Sequence, residues 1–84
     1  MTKQKIINEI RLILVQMGIS PIAITKKATY DKDLGLDSLD MAALMMEFEQ
    51  RFNLSIHCTA FENIKTIKDT VDYISQRRAS VNKQ

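Results

Sequence analysis

Near the start of the chain, apolar residues recur at three- and four-residue steps, at Ile6, Ile10, Ile13, Leu14 and Met17. This spacing places them along one face of an α-helix, and we expect Ile7 and Leu12 to widen the buried stripe. Gly18 follows the last of these residues and Pro21 comes three positions later, which is typical of a helix C-terminus. The pattern predicts a first helix over residues 2–17.

A second helical pattern predicts a helix over residues 38–52. Its expected inward stripe contains Met41, Leu44, Met45, Phe48 and Phe52. The opposite side contains Leu39, Ala42, Ala43, Met46, Glu47 and Gln50. That side is unusually apolar, which leaves two interpretations open. The helix is either central and buried nearly all round, or it presents a surface to which a partner docks.

The connection between these helices, residues 19–36, is long and too apolar for a solvated linker. Its apolar residues include Ile19, Ile22, Ile24, Ala28 and Tyr30. Loops beyond about 12–15 residues in compact domains are usually functional or disordered, and the apolar content favours an ordered loop. We therefore expect this loop to pack across the domain.

A last helix is predicted from residue 67 to about residue 77, with Thr66 as its N-cap and Asp69 as the N3 partner. The residues expected to face inward are Ile67, Val71 and Ile74. Residues 79–84 are small and polar, and we expect a flexible tail there.

Residues 59–64, which include Phe61 and Ile64, predict a short helical turn before that last helix. The expected fold class is therefore all-α, a four-helix bundle of three longer helices and a short third helix, with a long loop between helices 1 and 2. We expect a single domain over residues 1–84, with an ordered core over about residues 3–77.

Composition narrows the class of protein. The chain has 84 residues, of which 45% are hydrophobic and 26% charged, as in an ordinary globular domain. A domain of this size has little room for a deep enclosed active site, which disfavours a stand-alone enzyme. Polar residues interrupt the apolar run near the N-terminus, so we expect neither a signal peptide nor a membrane span. The single cysteine, Cys58, excludes an internal disulfide, and we expect a reducing compartment, the cytoplasm.

The formal net charge of +2 conceals an asymmetry along the sequence. Residues 31–53 contain six acidic and two basic residues, whereas the rest of the chain contains four acidic and ten basic residues. We call residues 31–53 the acidic segment. It lies within an otherwise basic chain.

The acidic segment contains the candidate site. Residues 33–40 read Asp-Leu-Gly-Leu-Asp-Ser-Leu-Asp and lead from the loop into the second helix. Asp37 as N-cap and Asp40 three residues later form an approximate capping box for the first helical N–H groups. Ser38 then occupies the first helical position with its hydroxyl free, which indicates an attachment point.

Other chemistries fit the sequence poorly. Counted from Asp31, a calcium loop would need a ligand at Gly35, a glycine at Leu36 and a glutamate at Ala42. No Cys/His cluster has metal-ligand spacing, so no metal site is expected. A serine hydrolase would need an oriented base, and the only histidine, His57, has no obvious carboxylate to orient it.

Nucleic-acid binding and a reactive thiol are two further possibilities. Nucleic-acid binding is suggested by the basic residues, but the acidic central helix would repel phosphates, so we expect no nucleic-acid partner. Cys58 has no adjacent cation to lower the pKa of its thiol, and a structural or incidental role is expected for it.

The segment at residues 33–40 closely resembles the modification motif of the acyl carrier proteins, in which Asp-Ser-Leu follows Asp-Leu-Gly. The resemblance covers roughly residues 4–77 without gaps. It includes Phe52, Ile56, Ile64, Thr66, Asp72, Tyr73 and Ile74.

The resemblance implies that Ser38, flanked by Asp37 and Leu39, accepts 4′-phosphopantetheine from coenzyme A through a separate phosphopantetheinyl transferase. The carrier itself catalyses nothing. Its prosthetic thiol holds acyl groups as thioesters and presents them to partner enzymes. The near alternative is a peptidyl or aminoacyl carrier, and a small helical adaptor or nucleic-acid-binding protein is the alternative from a different class.

In such carriers the second helix is the main recognition surface, and acyl chains can tuck between the helices. The resemblance implies partner contacts at Asp37, Leu39, Asp40, Ala42, Met46, Glu47 and Glu49. The expected partners are the transferase, the acyl ligase or synthase enzymes of the pathway and the acyl cargo, and the expected state is a monomer.

The sequence also differs from typical members, which are strongly acidic. Ala43 and Gln50 stand where acidic residues are common, and residues 58–60 lack the acidic start of the third helix. These differences favour a specialised fatty acid, polyketide or lipid pathway over housekeeping fatty acid synthesis.

Overall fold

In the computed structural model, residues 2–82 are described, except for the side chains of Cys58 and residues 78–82. Four helices follow one another: α1 (Lys3–Gln16), α2 (Ser38–Phe52), α3 (Cys58–Asn63) and α4 (Ile67–Asn82). A 3-10 turn, Pro21–Ala23, lies in the loop between α1 and α2. The predicted all-α fold with a short third helix is confirmed.

Helix α1 is one residue shorter at each end than the predicted range of residues 2–17, and Thr2 and Met17 are its cap residues. The Lys5 N–H donates to the Thr2 hydroxyl at 3.2 Å, which caps the N-terminus. At the other end Gly18 adopts a φ of 97°, a conformation that glycine tolerates. The Ile19 N–H then reaches the Leu14 carbonyl at 3.0 Å, as in a Schellman motif.

The core consists of apolar side chains from α1, α2, α4 and the long loop. Its fully buried members include Ile6, Ile10, Ile13, Leu14, Tyr30, Leu44, Phe48, Phe52, Ile67 and Ile74. Helix α1 contacts both α2 and α4. An ion pair of 2.9 Å between Arg51 of α2 and Glu9 of α1 supports the first of these contacts.

One predicted core position in α1 is wrong. Leu12 was expected to widen the buried stripe, but it is 49% exposed. Ile7, the other residue expected to widen it, is partly buried against the core. The stripe is therefore narrower than predicted because α1 has neighbours on one side only, and the outer face carries Leu12.

The long loop packs across the domain, as predicted, and fills part of the core. Ile24, Ala28 and Tyr30 are buried, and Ile19 is partly buried. Ile22 is the exception, because the 3-10 turn directs it outward and leaves it 89% exposed.

Backbone hydrogen bonds fasten this loop to the start of α4. The Tyr30 N–H donates to the Lys65 carbonyl at 3.1 Å, and the Ile67 N–H donates to the Ala28 carbonyl at 3.2 Å. The Tyr30 hydroxyl also hydrogen-bonds the buried Thr70 hydroxyl. Burial raises the pKa of the Tyr30 phenol, so it stays neutral at ordinary pH.

Helix α4 begins with the predicted cap. The Asp69 N–H donates to the Thr66 hydroxyl at 3.1 Å, and the Thr66 N–H donates to the Asp69 carboxylate at 3.0 Å. Burial acts to raise the pKa of the Asp69 carboxyl, but the hydrogen bonds from Lys65 and Thr66 outweigh it and lower that pKa.

The bounds of α3 and the end of α4 also differ from the prediction. Helix α3 begins at Cys58 and ends at Asn63, one residue earlier at each end than predicted. Helix α4 continues to Asn82 instead of ending near residue 77, because the sequence after Arg77 contains no glycine or proline to stop it. The predicted tail overlaps this helix over residues 79–82, and residues 83 and 84 lie outside the described part of the chain.

None of the helices in residues 2–82 is both long enough and apolar enough to cross a membrane. The residues predicted to face inward on α2 and α4 are buried or partly buried.

The core assignment predicts a large cost for Phe48→Ala. The Phe48 side chain is fully buried and its ring centroid lies 6.3 Å from that of Phe52. Truncation should lower the free energy of unfolding by about 3–5 kcal/mol, as measured by urea denaturation. Met46→Ala is the matched control on the exposed side of α2, with an expected change within about 0.5 kcal/mol. Equal losses in both variants would contradict the assigned core.

Candidate functional site

Backbone hydrogen bonds fix the conformation of the loop that leads to Ser38. Gly35 adopts a φ of 71°, where a Cβ would be strained. The Gly35 N–H donates to the Asp31 carbonyl at 3.0 Å, and the Leu36 N–H donates to the Tyr30 carbonyl at 2.9 Å. Leu36 is buried, which anchors the chain two residues before Ser38.

Asp37 and Asp40 cap the first turn of α2, because each carboxylate accepts a hydrogen bond from the backbone N–H of the other residue. The Asp40 N–H donates to Asp37 Oδ1 at 2.8 Å, and the Asp37 N–H donates to Asp40 Oδ2 at 3.1 Å. This is the predicted capping box, with both of its hydrogen bonds present. Each carboxylate therefore uses one oxygen for the helix start.

Ser38 is the first residue of α2, and its side chain is exposed. The helix start is capped by Asp37 and Asp40, and the Ser38 hydroxyl makes no hydrogen bond within the described residues. A helix N-terminus also favours a negative charge, although the two neighbouring aspartates oppose it. An open, unengaged hydroxyl on a rigid helix end fits the covalent attachment of a phosphate-linked group.

The outer side of α2 is solvent-exposed, which decides between the two interpretations left open above. Leu39 is 79% exposed and Met46 is 59% exposed, and Ala42 between them is exposed as well. Of the two interpretations, the one in which α2 is buried nearly all round is therefore wrong. Apolar side chains that remain in water on one helix face are typical of a surface that contacts another molecule.

The acidic residues of α2 divide into two kinds. Glu47 is exposed and makes no hydrogen bond within the described residues. Glu49 is half-buried, and its Oε2 accepts a hydrogen bond from the Ile56 N–H at 2.8 Å. The Glu49 carboxylate thus holds the turn after α2, a role that the sequence pattern did not reveal because the partner N–H is seven residues away.

A cavity of about 570 Å³ opens beside the first turn of α2. Its apolar lining comes from Tyr30 of the loop, Met41 of α2, and Phe61 and Ile64 at α3. Met41 lies three residues after Ser38 on the same helix, so the cavity and the serine are neighbours. The volume is within the range of small-molecule pockets.

The other candidate groups do not assemble into a site. No hydrogen bond joins His57 to Ser38, and His57 is the N-cap residue of α3. Across the described residues, no group of three or more His, Cys, Asp or Glu side chains could hold a metal ion. The side chain of Cys58 lies outside the described part of the chain.

Comparison with known proteins agrees with the geometry. Residues 10–74 match the family described as "Phosphopantetheine attachment site". An acyl carrier protein of Phytoplasma australiense is 43% identical over 75 residues, which covers 88% of this chain and 99% of the relative. One of Cyanidioschyzon merolae is 40% identical over 82 residues, covering 96% and 90%. One of Guillardia theta is 38% identical over 81 residues, covering 95% and 100%.

The family match includes the whole of α2 with Ser38, the cavity beside it and the start of α4. The relatives match this chain over nearly their full length, so the likeness extends to the complete four-helix domain. This chain therefore belongs to the acyl carrier protein family, whose members carry 4′-phosphopantetheine and are carriers, not enzymes.

Proposed function

We propose that Ser38 is the residue that carries 4′-phosphopantetheine and that the loaded protein delivers acyl groups to enzymes that dock on α2. The observation that carries this proposal is the unengaged Ser38 hydroxyl, free because Asp37 and Asp40 cap the helix. The attached group supplies a thiol that holds an acyl group as a thioester. The chain's own residues position that group and present it.

Modification at Ser38 would leave the fold of α2 unchanged. The hydroxyl oxygen would form a phosphodiester in place of its O–H, and neither hydrogen bond of the capping box involves that hydroxyl. Ser38 is exposed, so the transferase can reach it without opening the core. The positive end of the helix dipole partly offsets the repulsion between the phosphodiester and the two aspartates.

The docking surface that we propose combines apolar and acidic side chains along α2. Leu39, Ala42 and Met46 supply the apolar contacts, and Asp37, Asp40 and Glu47 supply negative charge. The acidic side chains would attract and orient enzymes with basic rims, and the apolar side chains would hold them. Glu49 contributes less than expected to this surface, because its carboxylate is bound to the Ile56 N–H.

The cavity beside α2 is the proposed resting place of the acyl cargo. Met41, Phe61 and Ile64 give it an apolar wall, and the flexible methionine side chain can adapt to different chains. The same cavity would shield a thioester-linked chain from water between enzymes.

We further propose that the pathway is a specialised fatty acid, polyketide or lipid pathway. Ala43 and Gln50 are exposed on the outer side of α2 without charge, and Glu49 is engaged internally. The docking surface is therefore less acidic than the sequence of the acidic segment suggests. A partner enzyme for such a carrier would rely more on apolar contact with α2.

Ser38→Ala should abolish modification. Incubation of the apo protein with coenzyme A and a broad-specificity phosphopantetheinyl transferase should add the mass of one phosphopantetheine, measured by intact-protein mass spectrometry. Ser20→Ala, at another exposed serine that makes no side-chain cap, should be modified normally. Addition that persists in Ser38→Ala, or no addition to the native chain, would refute the proposed attachment residue.

Met46→Glu should slow the transferase reaction while leaving the melting temperature nearly unchanged. Loss of a central apolar contact costs about 1–2 kcal/mol at an interface, so kcat/KM should fall about five- to thirtyfold. Val15→Glu makes the same change at an exposed residue of α1 and should leave the rate intact. A large drop in melting temperature for Met46→Glu would instead place Met46 in the core.

The identity of the cargo tests the pathway. Mass spectrometry of the acyl group on protein purified from its source should reveal a group outside the simple saturated fatty acyl series. A ladder of saturated chains growing by two carbons would assign the protein to housekeeping fatty acid synthesis. An amino acid or peptide would assign it to the peptidyl or aminoacyl carriers.

A further inference from the structure

A second exposed surface lies away from α2, on α1 and the loop that follows it. It contains three exposed apolar residues, Leu12, Val15 and Ile22. Leu12 and Val15 are three residues apart and share the outer face of α1. We call these three residues and the cations described next the α1–loop surface.

The loop is held beside the outer face of α1 by Arg11. Its Nη2 lies 3.5 Å from the Pro21 carbonyl oxygen, at the base of the 3-10 turn that carries Ile22. Arg11 precedes Leu12 and lies one helical turn before Val15. The contact therefore places the turn that carries Ile22 beside the helix that carries Leu12 and Val15.

The stretch of chain that forms this surface contains basic residues but no acidic ones. Residues 10–30 contain Arg11, Lys26 and Lys27 but no aspartate or glutamate. Both lysines are exposed, and neither forms an ion pair within the described residues. Lys26 is four residues from Ile22, which limits their Cα separation to roughly 14 Å. The two lysines thus follow Ile22 closely in the same loop, and Arg11 directly precedes Leu12.

The shape of the surface favours a lipid bilayer over a protein partner. Ile22 is 89% exposed at a turn, and neither it nor Leu12 lines the cavity beside α2 or the smaller one between α1 and α2. A protein partner would need a matching recess for a single protruding side chain. A lipid headgroup layer accepts such a side chain and also attracts lysines when the lipids are anionic.

We propose that the α1–loop surface binds anionic lipid bilayers peripherally. Ile22, with Leu12 and Val15 behind it, enters the interface, while Arg11, Lys26 and Lys27 contact the lipid phosphates. An anionic bilayer attracts this surface and repels the acidic segment, so α2 and Ser38 turn towards the aqueous phase. This proposal does not depend on the modification of Ser38.

The chain contains no tryptophan, which allows a clean fluorescence test. Ile22→Trp should shift its emission to the blue on addition of vesicles that contain phosphatidylglycerol, and should not shift with pure phosphatidylcholine vesicles. Leu39→Trp, at an equally open position on α2, should not shift with either. A shift at both positions, or at neither, would overturn the proposal.

The charge requirement is tested by vesicle sedimentation of the full-length apo protein. The double variant Lys26→Gln/Lys27→Gln should lower the partition coefficient for anionic vesicles roughly tenfold or more, and added salt should do the same to the native chain. Lys32→Gln/Lys65→Gln, which removes two charges beside the cavity, should have a clearly smaller effect.

Two results would contradict the lipid assignment. Equal losses in the two double variants would mean that binding follows net charge alone. Binding to soluble polyglutamate as strong as binding to vesicles, and unaffected by Ile22→Ser, would instead indicate an acidic protein partner. Circular dichroism should report native helix content in every variant, because all of the substituted residues are exposed.

Discussion

Tyr30 forms hydrogen bonds in three directions, and the position of Ser38, the proposed modification site, depends on all of them. Its N–H binds the Lys65 carbonyl before α4, its carbonyl accepts from the Leu36 N–H before α2, and its hydroxyl pairs with Thr70 inside the core. A buried polar group without a partner would be costly, so each contact constrains the loop. Through its backbone groups and its hydroxyl, Tyr30 thus connects the segment before α2 to the start of α4, and places Ser38 at a fixed point on the bundle.

That constraint explains how a domain of 84 residues can present a reactive group without an active site. The long loop supplies core residues that three helices alone would lack, because Ile24, Ala28 and Tyr30 are buried between them. Chemistry can then be left to other proteins, while the carrier contributes a rigid helix end, an apolar face and a nearby cavity. The carboxylates of Asp37 and Asp40 accept hydrogen bonds from the N–H groups at the start of α2, so the Ser38 hydroxyl is not needed as a cap.

Features encoded in local sequence were predictable, and features that depend on distant contacts were not. The caps at Asp37 and Thr66 follow from residues three positions apart, and both are present. The exposure of Leu12 and Ile22 depends on how many neighbours pack against α1 and the loop, which periodicity does not encode. The hydrogen bond from the Ile56 N–H to Glu49 crosses the turn after α2, and the hydrophobic pattern does not predict the geometry of that turn.

The tether from Glu49 to the Ile56 N–H has a consequence for protein engineering. A designer who wished to retarget this carrier to a foreign synthase would graft charges onto α2, and Glu49 looks like a free surface position in the sequence. Replacing it would loosen the turn that leads into α3, which forms one wall of the cavity. Ala43, Glu47 and Gln50 are exposed and hold no such turn, so charges can be changed at these positions without loosening the entry to α3.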